Sequence, residues 1–488
     1  MHRVTVLPQG RVLEVCHNRS LMEVLKEAGI FLDAPCGGKG TCGKCRVLVN
    51  GAELSACRTR IDRDMTVLVP EENNLQILST GAGSIPRLNP RKGGYMIAID
   101  LGTTSVVCFL LDGKTGRELA SASMLNPQNT FGADVISRIQ ASLQGHMDAL
   151  KQPIRDGIVS LIRAVCRDAH ITPEEISLVS LVGNPAMQQL FLGISPENLV
   201  AVPFEPVLTR AEVLSCSQVL PCCPGAEILI VPDISGYVGA DTLGCVLATG
   251  MDREERMTLL VDIGTNGEMV LGNRDRMIAC SAAAGPALEG ANIRFGMRAV
   301  PGAIDHVWLQ DGALRCSVIG GDEATGICGS GLIDAVAAGL EAGIINKRGR
   351  ILNQERIFPL TDRVFLTQED IRQVQLAKGA ISAGIQLMAE TMGIRPADID
   401  RVLLAGAFGS FLLPESACRT GLLPEELADK ITAVGNAAGS GAKLLALDRD
   451  LFDQVQALRD RIVFLELASL PAFPRTFARA MNFREADR

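Results

Sequence analysis

Apolar and polar positions alternate with a period of two from Arg3 to Cys16 around a PQGR turn, the pattern of a hairpin with one face in a core. Ser20 then opens SLMEVLKEAGI, whose apolar residues recur at helical spacing as far as Gly29, so a short capped helix is expected there. Two more strand-like runs, CRVLVN and MTVLVP, close the unit near Pro70. Hairpin, helix, loop and strands in that order are what a small β-grasp domain requires, and it is expected over residues 1–70. Residues 71–94, with ENNLQILSTGAGSIPRLNPRKGG, are polar and punctuated by Gly and Pro and read as a linker.

Beyond the linker the pattern echoes itself. YMIAIDLGTTSVVCFLLDGKTGRELASASM reads as strand, polar turn, strand, turn, strand, and TLLVDIGTNGEMVLGNRDRMIACSA follows the same plan. Each copy puts an aspartate at the end of a buried strand, Asp100 and Asp262, in an Asp-x-Gly-Thr turn. Downstream of each come helical stretches and another apolar strand running into glycine, SLVSLVGNPA in the first half and DRVLLAGAFG in the second. Two similar halves, roughly 95–255 and 256–488, are therefore expected to face each other across a cleft lined by both turns.

A chain of 488 residues is too long for one compact core, and a hydrophobic fraction of 47% is ample for two or three. The net charge of −8 argues against a nucleic-acid partner, which needs a basic face. The segment from Ile176 to Pro196 carries no charge, yet it contains Asn184, Pro185 and two glutamines in a strand-turn-helix pattern, so it reads as a buried core element rather than a membrane span. With no membrane segment and no targeting segment legible, a cytoplasmic location is expected. The five histidines, His170 and His306 among them, show no paired ligand spacing.

The chemistry begins with cysteine. Cys36, Cys42, Cys45 and Cys57 lie in PCGGKGTCGKC and the following ACRT, a spacing close to the plant-type pattern that holds a [2Fe–2S] cluster on four thiolates. Gly37, Gly38, Gly40 and Gly43 permit the tight turns and the close backbone approach that a cluster loop needs. A zinc site usually takes two short cysteine hooks or a Cys/His mixture, and only one hook is present. A disulfide framework fits less well, because many of the 15 cysteines are scattered through apolar segments. Cys16 reads as a core residue of the hairpin, Cys222 and Cys223 as loop thiols, and Cys328 as a small buried residue at a turn.

A tight Gly-Thr hairpin exposes backbone N–H groups and a hydroxyl, a concave site for phosphate oxygens. A strand-end carboxylate beside it can hold Mg²⁺ directly or through water. In one copy such an aspartate would more simply satisfy its own turn amides; the repeat in matched contexts favours two turns gripping one polyphosphate. LLAGAFG supplies a third glycine-rich turn where a base or ribose could approach the backbone. Glu289, in GPALEG, is either a metal or water contact or a helix-starting carboxylate.

Taken together, PCGGKGTCGKC, AIDLGTTS, VGNPAM, VDIGTNGE, AAGPALEG, GICGSGLID, LLAGAFG, RTGLLP and VGNAAGSGA make the chain resemble the reductive activators of corrinoid proteins. The likeness implies an α/β protein: an α+β ferredoxin-like β-grasp domain, then two RNase H-like halves of an actin, Hsp70 and sugar-kinase type ATPase over residues 95–488. It implies that Asp100 to Thr104, with Gly102, Thr103 and Thr104, is a first phosphate motif. Asp262 to Glu268, with Gly264, Thr265, Asn266 and Gly267, would be the second, and Asp100 and Asp262 the catalytic carboxylates. Gly406, Ala407, Phe408 and Gly409 would lie near the adenosine. The implied cofactors are a [2Fe–2S] cluster, ATP and Mg²⁺. The implied activity is ATP-driven one-electron reduction of a corrinoid protein from Co(II) to Co(I) in a methyltransferase system, fed by a low-potential electron donor, with a homodimer as a candidate assembly. Two rivals share the ATPase fold: a small-molecule kinase with a regulatory cluster, and an activator of a radical dehydratase.

Overall fold

In the computed structural model, which describes residues 1–7, 10–28, 30, 32, 40, 45–69, 93–202, 204–321 and 323–484, the N-terminal alternation becomes a five-stranded sheet. Its order is Arg11–Val15, His2–Leu7, Met65–Leu68, Arg46–Val49, Ala52–Ser55. The pair His2–Leu7 and Met65–Leu68 is parallel, and the other pairings are antiparallel. Val4, Val6, Val47 and Val67 point to one face and bury against Leu21 and Leu25 of helix Leu21–Glu27, a period-two face meeting a helical stripe. Each buried side chain of this kind contributes about 1.5–3 kcal/mol. Cys16, expected in the core, is exposed instead, because it follows the last strand residue Val15 and leaves the sheet. Gly29, Cys36, Cys42, three of the cluster-loop glycines (Gly37, Gly38 and Gly43) and most of the expected linker lie outside the described residues.

The larger region holds two six-stranded sheets. In the first the order is Glu118–Leu125, Ser105–Asp112, Tyr95–Leu101, Ile176–Gly183, Glu227–Ile230, Glu212–Ser215. In the second it is Ile431–Gly435, Arg401–Ala405, Thr258–Ile263, Gly267–Gly272, Met277–Ala282, Ile462–Phe464. Each is built on an antiparallel meander whose first strand then pairs in parallel with a strand from far downstream. Those first strands, Tyr95–Leu101 and Thr258–Ile263, are buried on both faces, which explains their unbroken apolar runs. The uncharged segment becomes strand Ile176–Gly183 and the buried helix Pro185–Leu192, capped by Asn184. Among the described residues no helix is long and apolar enough to cross a membrane.

Helix Met147–Asp168 covers one face of the first sheet with Leu150, Ile154, Ile158, Leu161 and Val165, a stripe at three- and four-residue spacing. Helix Gln368–Met392 does the same for the second, started by a capping box between Thr367 and Asp370 and stopped at Gly393, whose φ is +69°. The facing sides of the two sheets share a single core, in which Met96, Ala98 and Phe109 belong with Leu260, Val270 and Leu403. Helices Ala240–Thr249 and Ala437–Leu447 lie within that shared layer, backbone against backbone. A Cβ added at Gly441 would stand 2.2 Å from the carbonyl oxygen of Gly244.

That contact cannot yield by moving a flexible side chain. Gly441→Ala is therefore expected to lower unfolding free energy by about 1–3 kcal/mol, even though alanine favours helix. Gly225→Ala, where an added Cβ meets nothing within 4 Å, should be close to neutral. Thermal or denaturant unfolding of the two variants reads the difference directly.

Candidate functional site

Both Asp-x-Gly-Thr turns sit at the ends of the doubly buried first strands. Asp100 is the penultimate residue of Tyr95–Leu101, and Gly102, Thr103 and Thr104 make the turn into Ser105–Asp112. A Cβ at Gly102 would lie 2.7 Å from the carbonyl oxygen of Ser105, so the hairpin closes only around glycine. Asp262 holds the matching place in Thr258–Ile263, and the Gly264 N–H donates to the Asn266 carbonyl at 2.9 Å to close the second turn. Strand Arg401–Ala405 runs beside it and breaks into the short helix Gly406–Phe411. Gly406 has φ +80°, and a Cβ there would come within 2.6 Å of Asp262 Oδ1.

These elements surround a cavity of about 300 Å³. Asp100, Gly102, Thr103 and Thr104 line one side, Asp262, Gly264, Thr265 and Asn266 another, and Gly406, Ala407 and Phe408 a third. Gly267 and Gly409 do not line it. Gly267 begins the strand Gly267–Gly272, where an added Cβ would press on Ile381 at 3.0 Å, and Gly409 packs on Leu404. Cys328 borders the cavity and is buried as the residue before helix Gly329–Glu341.

Several groups join the site that their sequence context did not single out. Asn436, ahead of helix Ala437–Leu447, accepts from the Gly439 N–H at 2.6 Å and donates Nδ2 to Asp100 Oδ2 at 2.8 Å, tying the first turn to the second half. Asn184 donates to Thr103 Oγ1 at 2.9 Å while capping its own helix. Arg138, wholly buried, donates to the Thr103 carbonyl at 2.6 Å and supports the turn from beneath. Asp241, in the first turn of Ala240–Thr249, and Glu268, directly across the ladder from Asp262, add two more carboxyls to the lining. The VGN triplets ahead of two helices were the available signal for the asparagines.

The electrostatics are lopsided. Asp100 and Asp262 retain some surface toward the cavity but are enclosed on every other side, and desolvation first, then neighbouring carboxylates, pushes each up to about 6. The hydrogen bonds from Asn436 and from the Cys245 thiol, 3.7 Å from Asp262 Oδ2, oppose that rise. Desolvation, with Asp262 and Asp100 nearby, carries Asp241 up to about 7, and Glu268 is driven well above the usual range for the same reason. Burial meanwhile lowers Arg138 to about 9. A pocket with this much poised negative charge suits a polyphosphate that arrives with its own cation. Among the described residues no group of three His, Cys, Asp or Glu side chains that could hold a metal ion is found.

In the N-terminal unit, the Sγ atoms of Cys45 and Cys57 lie 3.2 Å apart. The Ala56 N–H donates to the Cys45 carbonyl at 2.8 Å and fixes this juxtaposition. Two thiols side by side are what one iron of a cluster would take from the chain. Cys222 and Cys223, by contrast, are unbridged, with sulfurs 3.6 Å apart.

Comparison with known proteins covers the same three regions. Family models match for a 2Fe-2S iron-sulfur cluster binding domain over residues 4–71, for the RACo middle region over residues 95–254, and for the C-terminal domain of RACo, the ASKHA domain, over residues 256–488. The corrinoid activation enzyme RamQ of Eubacterium limosum is 31% identical over 95% of this chain and 96% of its own. The [Co(II) methylated amine-specific corrinoid protein] reductase of Methanosarcina barkeri is 30% identical over 75% and 73%. Among solved structures, a reductive activator for corrinoid, iron-sulfur protein superposes with a TM-score of 0.75 and 28% identity, covering 100% of this chain and 99% of that one.

The raised carboxyls set the sign of a pH effect. A folded-state pKa above the unfolded value means that the stability these groups contribute is present at low pH and lost as pH rises through about 6 and 7. In nucleotide-free, metal-free protein at pH 8, Asp262→Asn should therefore raise unfolding free energy by about 1–3 kcal/mol, and the gain should vanish near pH 4. Thermal melts of variant and wild type across that range provide the check.

Proposed function

The chain belongs to the reductive activators of corrinoid proteins, and on that premise we propose that it uses ATP to drive the one-electron reduction of a corrinoid protein from Co(II) to Co(I). The observation that carries the reading is the union, in one chain, of the Cys45–Cys57 thiol pair with a cleft made of two Asp-x-Gly-Thr turns. Cys36 and Cys42 complete the thiolate set by their spacing, and a [2Fe–2S] cluster bound there supplies single electrons at low potential. Cys45 and Cys57 would supply two of its thiolates from the open end of the Arg46–Val49 and Ala52–Ser55 hairpin, Cys45 just before its first strand and Cys57 in the turn Ala56–Arg58 that follows its second.

In the cleft the residues orient and neutralise, which is most of what phosphoryl transfer asks of a protein. Thr103 and Thr104 from one half, and Thr265 and Asn266 from the other, present hydroxyl, amide and backbone donors to phosphate oxygens. Ala407 and Phe408, beside Gly406, form the wall against which the adenosine rests. Asp100, Asp241 and Asp262 would hold Mg²⁺ through its water shell, where it offsets phosphate charge. Asp241, which lines the cavity with the two turns, is placed to orient the attacking water.

Why ATP is needed follows from energetics. A plant-type cluster lies near −400 mV, a weak donor for a very low-potential cobalt centre. Linkage between nucleotide-driven closure and partner binding is typically worth about 1–3 kcal/mol, which for one electron is roughly 40–130 mV. The two halves share a core across a closely packed helix pair, so a change at the cleft is felt by both of them. We further propose that the protein works in a cytoplasmic methyltransferase system, takes its electrons from a low-potential external donor and assembles as a homodimer.

With a low-potential reductant, ATP and a cognate corrinoid protein, the wild-type chain should form Co(I), followed in the visible spectrum. Cys57→Ser should abolish Co(I) formation while ATP hydrolysis persists, and anaerobically purified wild type should carry about two irons and about two sulfides per chain. Asp241→Asn should lower the kcat of ATP hydrolysis by about 10²-fold and leave the cluster's spectrum unchanged. Phosphorylation of a small metabolite with no response from any corrinoid protein would transfer the reading to a kinase.

A further inference from the structure

One carboxylate already occupies the place between the two turns. Glu289 ends the short turn Pro286–Glu289, and its side chain reaches both halves at once. Thr265 Oγ1 donates to Glu289 Oε2 at 2.6 Å, and Thr104 Oγ1 donates to Glu289 Oε1 at 3.1 Å and lies 3.4 Å from Oε2. The main chain around it has little freedom. A Cβ at Gly329 would meet the Leu288 carbonyl oxygen at 1.9 Å, and Gly290, at φ +78°, would meet the Met297 carbonyl oxygen at 2.6 Å. The Glu289 side chain, by contrast, can swing away by rotamer change alone.

The two threonine hydroxyls are the donors that a polyphosphate in this cleft would use, and here a single anion takes both. The cavity is only about 300 Å³ and is already lined by Asp100, Asp241, Asp262 and Glu268. Two anions cannot share the same pair of hydroxyls at hydrogen-bond distance, because the repulsion at low local dielectric is too large. We propose that Glu289 is a latch: it stands in for the phosphate in the nucleotide-free protein, pins the two turns to each other, and is expelled when a polyphosphate enters. The proposal rests on the nucleotide reading of the cleft and adds what the empty cleft does. Glu289 acts as a positioning residue that sets nucleotide affinity and makes phosphate entry break one cross-cleft tie before making another. The displaced side chain leads into the segment 290–298, whose Asn292 and Arg294 are exposed, so occupancy of the cleft has a route to the surface.

The test titrates inorganic triphosphate and a non-hydrolysable ATP analogue, with and without Mg²⁺, into full-length wild type, Glu289→Gln and Glu289→Ala. Removing the competing anion should tighten both ligands by about tenfold in Glu289→Ala, and by less in Glu289→Gln, whose amide can still accept from one hydroxyl. The midpoint of ligand-free Glu289→Ala should fall while that of the ligand-saturated protein stays at the wild-type value, a pattern that a general packing defect would not give. Unchanged or weaker binding in both variants overturns the latch while leaving the nucleotide site in place. If wild type and variants alike bind neither probe, the nucleotide reading itself falls and the latch with it.

Discussion

The cleft exists because two helices from different halves of the chain touch without side chains between them. Gly244 and Gly441 bring Ala240–Thr249 and Ala437–Leu447 close enough for one core to run from Met96 and Phe109 through to Leu260 and Leu403. With that layer fixed, the first strands of both sheets end on the same side, and Asp100 and Asp262 arrive at one cavity. A larger residue at Gly441 would press the two backbones apart, whereas one at Gly244 would meet a tight contact with the Ala438 carbonyl at 3.0 Å.

What gathers there is costly for the fold. Asp262 faces Glu268 across an antiparallel ladder, and Asp241 and Asp100 stand nearby, so like charges meet where water is scarce. Arg138 is the buried cation that props the first turn, yet it spends its donors on carbonyl and amide oxygens rather than on these carboxylates. A site lined by Asp100, Asp241, Asp262, Glu268 and Glu289, with Arg298 also at its border, suits a ligand that brings cations, and stability is given up for that readiness. The Glu289 bridge between Thr104 and Thr265 fits this view, since it spends two hydroxyls to hold an otherwise repulsive cleft together.

Electron carrier and ATP cleft answer to different physics. The thiol pair needs only a rigid short-range scaffold, which the β-grasp core and the Ala56 to Cys45 hydrogen bond supply. The cleft needs two sheets held at one spacing, and the shared helix layer supplies it. Joining the two in one chain lets nucleotide state and electron delivery act on the same partner at the same encounter.

The sequence by itself determined whatever depends on near neighbours. The four-cysteine spacing, the period-two hairpin, the capped helices and the twice-used Asp-x-Gly-Thr turn are local, because a few residues fix turn, cap or loop geometry regardless of what lies far away. The repeat of that turn in matched strands was enough to expect two halves and a cleft. The tertiary structure alone decided which side chains meet across it. Asn436 reaches Asp100 over 336 residues of chain and Thr104 reaches Glu289 over 185, separations that no periodicity encodes. It also removed Gly267 and Gly409 from the lining, although both lie inside the predicted motifs, since a strand's alternation and a helix's turn send neighbouring residues to opposite faces. Motif identity is written along the chain, whereas the electrostatic character of the site, with Asp241 poised near 7 among other carboxyls, arises only when the halves close on one another and exclude water.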